Sequence, residues 1–415
     1  MLKNQIENWK NIYQEYPKTF WMLVTVSFID QLGGALLFPF FALYITMKFS
    51  VGMTEVGYLF ALFSVANFAG SILGGALTDR FGRKQIVIFS LVATSISSVF
   101  MGLASEIEAF YLIAVISGVL SVGGPARQAM VADILSEEKR AQGYGVLRVS
   151  ANLSVAIGPA IGGLLLGITS YLTLFIIDAV VSLIVAGLFY VYIAETKSEA
   201  AEASSPESVS QSFSGYFIVF RDLLFMLFIG VCILMGLVYT NLNTTLGVYL
   251  RDIFGVSEAK YGLLLSLNAA MVVLFQFEIT RRIEKRPPFL VMAAGMLLYA
   301  IGFAMYGFVS TTAMFVLAMV ILTTGEMLIA PVSQALVAKF SPEEMRGRYM
   351  AIFGISWMIP FAVGPYLAGL IMDNTDPRWL WYAAGIVGMV AVMGFLWLHR
   401  KMTEKSPLVE ANIAI

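Results

Sequence analysis

Apolar runs of about twenty residues, separated by short charged segments, recur along the whole chain. The stretch 379–398 is representative: 20 residues without a charge, between Arg378 and His399. A bilayer core about 30 Å thick needs roughly 20 apolar residues per helix. The pattern therefore predicts twelve membrane-spanning helices over 20–47, 54–78, 86–104, 108–133, 143–167, 171–193, 222–250, 258–280, 288–309, 312–338, 348–372 and 379–398. One long polar segment interrupts it. Residues 195–214 read ETKSEAAEASSPESVSQSFS, with too few apolar side chains to pack, and predict a flexible linker. The predicted organisation is a six-helix bundle over 1–194, a cytoplasmic linker over 195–216, a second bundle over 217–400 and a tail over 401–415.

Charge placement sets the orientation. With both termini inside, the inner segments hold 20 Lys and Arg and the outer ones hold 4, namely Lys48, Arg251, Lys260 and Arg378. Cytoplasmic loops carry such an excess, so both termini are expected in the cytoplasm of a cell-membrane protein. The segment from Lys3 to Lys18 is polar and amphipathic without a cleavage site, so the first apolar run reads as a retained span.

Composition agrees. Of the 415 residues 59% are apolar and 13% charged, against roughly 25% charged in soluble domains. Lipid must cover most of the surface. A net charge of −1 gives no case for nucleic-acid binding. Cys232 and His399 are single residues of their types, which predicts no internal disulfide and no His-rich metal site. No cofactor is expected. The fold class is an all-α polytopic membrane protein.

The two bundles repeat each other. At an offset of 206 residues, 125–164 aligns without a gap on 331–370. Pro125, Gln128, Glu137, Glu138, Arg140, Ser150, Gly158, Pro159 and Gly163 fall on Pro331, Gln334, Glu343, Glu344, Arg346, Ser356, Gly364, Pro365 and Gly369. Matched charges and prolines argue for duplication of a six-helix unit. Two such pseudo-symmetric bundles can expose a central site to each side in turn.

The loop after span 2 reads Gly75-Ala-Leu-Thr-Asp79-Arg80-Phe-Gly82-Arg83-Lys84. Gly75 and Gly82 permit a close helix approach and a tight turn. Asp79 can engage a helix N-terminus or a cation. This loop resembles the GxLaDrxGrk signature of the major facilitator superfamily. The resemblance implies that these six residues form a cytoplasmic gate. Span 5 carries Ser154, then Gly158-Pro159-Ala-Ile-Gly162-Gly163, and span 11 repeats Gly364-Pro365. Small residues at this spacing allow close packing, and proline allows bending. The set resembles the GxxxGPxxGG motif of drug:proton antiporters with twelve spans. Segments around Asp30 to Pro39 and around Gly325-Glu326 resemble multidrug exporters of the same kind. One departure stands in span 4, where Ala114, Ser117 and Gly118 replace the RxxQG of many proton antiporters.

A charge at a helix centre costs roughly 2.5–3.5 kcal/mol on insertion scales. Asp30 lies about 15 Å into span 1, and Glu326 is central in span 10. These two are the first candidates for proton coupling and substrate, joined by Asp178 and Arg148. A carboxyl there can hold a proton or face a cation, but not comfortably both. Arg127 could pair with Asp133 or with a helix end. Gln31, Asn67, Asn152, Tyr239, Asn241, Asn243, Asn268 and Gln276 are expected to line a cavity.

The expected function is proton-driven efflux of amphipathic, cationic drugs by a monomeric carrier. Its partners would be a small-molecule substrate, protons and the lipid bilayer. The alternative is a carrier for one defined solute, such as a sugar, a lysolipid or a metabolite. An intramembrane enzyme would need a Ser/His, Asp/His or metal set that the residues do not supply.

Overall fold

The structure, a computed structural model, describes residues 15–196, 216–342 and 345–413. The predicted linker falls outside the described residues except at 195, 196 and 216, as do Glu343 and Glu344 of the repeat. The described chain is helical and contains twelve helices long and apolar enough to cross a membrane. Spans 1–6 are Lys18–Phe49, Met53–Phe81, Arg83–Leu103, Ile107–Ile134, Gln142–Leu166 and Tyr171–Tyr192. Spans 7–12 are Leu223–Thr244, Glu258–Ile283, Pro288–Phe308, Thr312–Phe340, Arg346–Asn374 and Arg378–Thr403. Large apolar side chains such as Val65, Ile72, Leu274, Phe277 and Ile386 stand exposed along them. Such surface is stable against acyl chains and not against water.

Helix ends follow local chemistry. Asp222 accepts from the Phe225 amide at 3.1 Å and starts span 7. Pro288 opens span 9, where a missing amide is harmless. Gly255, at φ 63°, closes the helix Leu246–Phe254 that continues span 7. Three spans that the pattern predicts as continuous are broken. Span 1 passes through a tight turn, Phe38–Phe40, around Pro39. Span 4 is interrupted between Ile107–Leu120 and Gly123–Ile134. Span 7 breaks between Leu223–Tyr239, Asn241–Thr244 and Leu246–Phe254.

Packing divides the chain into two compact units, Met1–Phe40 with Leu62–Ser205 and Phe41–Ala61 with Pro206–Ile415. In the first, a core of Phe20, Leu23, Val87, Leu91, Met130, Val131, Val185 and Phe189 joins spans 1, 3, 4 and 6. The small residues of span 5 work as their spacing suggests. A Cβ on Gly158 would lie 2.5 Å from that of Ala35, and one on Gly162 would meet the Leu36 carbonyl. Ser154 Oγ donates to the Phe28 carbonyl at 3.1 Å.

The second unit repeats the seam between spans 7 and 11. A Cβ on Gly236 would lie 2.6 Å from Pro360, and one on Gly364 would lie 2.7 Å from Thr240 Oγ1. One core of this unit centres on Trp381, ringed by Tyr249, Phe303 and Tyr306. Residues 41–61 pack with this unit. Asp373 accepts from the Met53 and Thr54 amides at 3.0 and 2.7 Å, and Arg251 donates to the Leu43 carbonyl and Thr46 Oγ1 at 3.0 Å each.

Candidate functional site

In the second unit, Glu326 sits midway along span 10, one turn after Thr323, so both face span 8. Its Oε2 accepts from Asn268 Nδ2 at 2.8 Å, and its Oε1 accepts from the Tyr239 hydroxyl at 3.1 Å. Asn268 also donates to Thr323 Oγ1 at 2.9 Å. Tyr239 stacks on Tyr299, with centroids 6.0 Å apart, and meets Trp357 edge-on at 5.6 Å. Spans 7, 8, 9, 10 and 11 thus converge on one carboxyl, bringing two donors, Tyr239 and Asn268, and the rings of Tyr239, Tyr299 and Trp357 to it. Tyr239 and Asn268 join Glu326 as their sequence positions suggest. Tyr299, Trp357 and Thr323 are additions.

In the first unit, Asp30 of span 1 does not stand alone. Arg127 of span 4 donates to its Oδ2 at 2.6 Å, with the two side chains 25% and 17% exposed. The expected partner of Arg127 was Asp133 or a helix end. The break in span 4 starts a new helix at Gly123 and carries Arg127 toward span 1 instead. Arg127 Nε is buried and has no partner among the described residues. Asp178 of span 6 is buried, and its Oδ2 lies 2.7 Å from Ser98 Oγ of span 3. Arg148 is exposed on span 5.

The predicted gate loop carries, besides Asp79, a second acid that its motif does not name. Gly82, at φ 92°, makes the turn. Within the first unit, the acid on the new helix end is Glu195, whose Oε1 and Oε2 accept from the Arg83 and Lys84 amides at 2.9 and 3.1 Å. Asp79 is 82% exposed and lies 3.9 Å from Arg83. Arg83 turns to Asp133 at 3.1 Å, which also accepts from Thr196 Oγ1 at 3.0 Å. Lys84 Nζ donates to the Tyr190 carbonyl at 2.7 Å, and Arg80 lies over the Phe81 ring. The close approach expected at Gly75 belongs to its neighbour. A Cβ on Gly74 would strike the Val122 carbonyl, whereas one on Gly75 meets nothing within 4 Å among the described residues.

Of the other cavity candidates, Asn241 is buried and spent locally. It donates to the Leu237 carbonyl at 2.8 Å and accepts from Thr245 at 2.6 Å, so it satisfies the break in span 7 rather than presenting itself to a solute. Gln276 donates to the Met327 carbonyl at 2.9 Å. Gln31, Asn67 and Asn243 are half-buried, and Asn152 is exposed. Gly163 and Pro365 are buried within their helices. Glu195 escaped notice because it begins a segment whose composition reads as linker. Tyr299 and Trp357 carry no sequence mark that separates them from lipid-facing aromatics.

The profile of the Major Facilitator Superfamily matches residues 23–249 and 231–412. A Na(+), Li(+), K(+)/H(+) antiporter of Planococcus maritimus is 28% identical over 397 residues, covering 88% of this chain and 91% of that protein. Multidrug resistance protein 2 of Bacillus subtilis (strain 168) is 24% identical, with coverage of 94% and 98%. Among solved structures, a POT family transporter in complex with 5-aminolevulinic acid superposes with a TM-score of 0.77 at 15% identity, over 93% of this chain and 97% of that one. The nucleoside transporter NupG gives 0.76 at 14%, over 92% and 99%. Twelve spans, a duplicated helical architecture and a match over nearly the full length have one reading: this chain belongs to the Major Facilitator Superfamily and is a multi-pass secondary transporter, not an enzyme.

Proposed function

We propose that the protein is a proton-coupled antiporter that exports amphipathic, cationic small molecules from the cell by alternating access, with both termini cytoplasmic. The observation that carries this reading is the setting of Glu326. Its carboxylate takes two hydrogen bonds, from Tyr239 and Asn268, and an aromatic wall of Tyr239, Tyr299 and Trp357 adjoins it. An organic cation gains Coulomb attraction from the carboxylate and about 2 kcal/mol from a desolvated ring face. A proton can take its place with little rearrangement. Protonated Glu326 donates where it formerly accepted, and the Tyr239 hydroxyl, both donor and acceptor, turns its own proton away. Cation and proton then compete for one carboxyl, which is the minimal chemistry of exchange. The names of the relatives, an antiporter of monovalent cations against protons and a multidrug resistance protein, agree with such an exchange.

The Planococcus maritimus relative favours a second reading, in which the cation is Na⁺ or K⁺. Proteoliposomes holding an acid interior and a pH-sensitive dye separate the two. Adding ethidium should release protons from the lumen, and Glu326→Gln should abolish that release. Release on adding Na⁺ or K⁺ but not ethidium selects the second reading. No release with any of these cations overturns both.

A further inference from the structure

The first unit holds a carboxyl that the exchange at Glu326 does not use. We propose that Asp178 is a separate proton-binding site, in which the protonated carboxyl donates to Ser98 Oγ and Ser98 donates onward to the Phe175 carbonyl. The distances are those of two simultaneous bonds, 2.7 Å from Ser98 Oγ to Asp178 Oδ2 and 3.2 Å from Ser98 Oγ to the Phe175 carbonyl. A serine has one hydroxyl proton. It can fill one of these bonds, and a protonated Asp178 supplies the proton for the second.

The surroundings agree. Asp178 is 9% exposed, and a buried carboxylate is stable only with a cation or several donors around it. Here the side chain has one hydroxyl. Arg127 is committed to Asp30 at 2.6 Å. Among the described residues, the titratable group that acts on Asp178 is Asp30, a like charge from span 1. Span 3 contributes Ser98, which does not titrate. The other oxygen, Oδ1, faces Gly33 of span 1, 3.5 Å from where a Cβ would sit. Asp30 and Asp178 are thus neighbouring acids, one of them paired with Arg127. Each bundle would then own a proton-accepting carboxyl, Asp178 in one and Glu326 in the other.

The test is infrared spectroscopy of the purified full-length protein in detergent, in water and in deuterium oxide, reading the C=O stretch of protonated carboxyls. Native protein should show a component that Asp178→Asn lacks and Glu326→Gln retains. Ser98→Ala should keep that component and shift it, because the acceptor of its hydrogen bond is gone. A D178N spectrum identical to native overturns the proposal. Should D178N fail to fold, an unshifted band in S98A overturns it instead. The measurement needs no transport, so absence of proton release in the proteoliposomes would count against Glu326 exchange and leave this assignment standing.

Discussion

Glu195, the third residue past the end of span 6, holds both leading amides of span 3, at Arg83 and Lys84, with its two carboxylate oxygens. A helix N-terminus offers unpaired amides and a partial positive charge, and here a distant carboxylate fills that role while Gly82 supplies the turn. A Cβ on Gly82 would lie 2.5 Å from Glu195 Oε2, on a backbone with φ 92° that L side chains avoid. Glu195→Ala should lower stability by about 1 kcal/mol, the usual worth of a cap, and Gly82→Ala by more. Thermal unfolding in detergent reads both. An unchanged midpoint in E195A would remove the capping role.

The two glycines at 74 and 75 should behave oppositely. Gly74→Ala places a methyl into the Val122 carbonyl of span 4, whereas Gly75→Ala enters open space. G74A should be destabilised by roughly 1–3 kcal/mol, as overpacking costs, and G75A should unfold like the native chain. Equal midpoints would show that spans 2 and 4 do not pack as closely as described.

Asp30 and Arg127 should fail singly and recover together. Removing one partner strands the other's charge, which costs about 3–5 kcal/mol when fully buried. The pair is 17–25% exposed, so roughly half that is expected. Arg127→Gln should lower the thermal midpoint, and adding Asp30→Asn should restore most of the loss. If the two losses simply add, the ion pair is not an energetic unit.

In the second unit, Asp373 caps span 2 through the Met53 and Thr54 amides. Asp373→Ala should cost about 1 kcal/mol. Thr54→Pro removes one of the capped amides and should reproduce part of that loss. If neither variant moves the midpoint, the cap contributes nothing to the fold.

Twelve spans, their approximate ends and the duplication were legible because hydrocarbon imposes a length and a polarity on every helix, and 379–398 announces itself by those alone. Glu326 was legible for the same reason, since an acid amid apolar residues needs an explanation. Its partners were visible as types but not as neighbours: Asn268 and Tyr239 stood among eight polar candidates, and geometry chose these two. The pairing of Asp30 with Arg127 was hidden, because it depends on a helix break at Ser121–Val122 that apolar periodicity cannot report. Asp79 was read from a motif whose letters match. Asp79 lies 3.9 Å from the Arg83 guanidinium, and Glu195, more than a hundred residues later, takes the amides nearest to hand, which no motif letter reports.

The broken middle of span 7 has a consequence for its polar groups. Asn241 Nδ2 reaches the Leu237 and Val238 carbonyls at 2.8 and 3.3 Å, and Thr245 Oγ1 reaches the Asn241 side-chain and backbone oxygens at 2.6 and 3.3 Å. Each donor already straddles a near and a far acceptor. The interruption in span 7 therefore leaves its own polar groups satisfied from within the span, as hydrocarbon requires of any irregular backbone it surrounds.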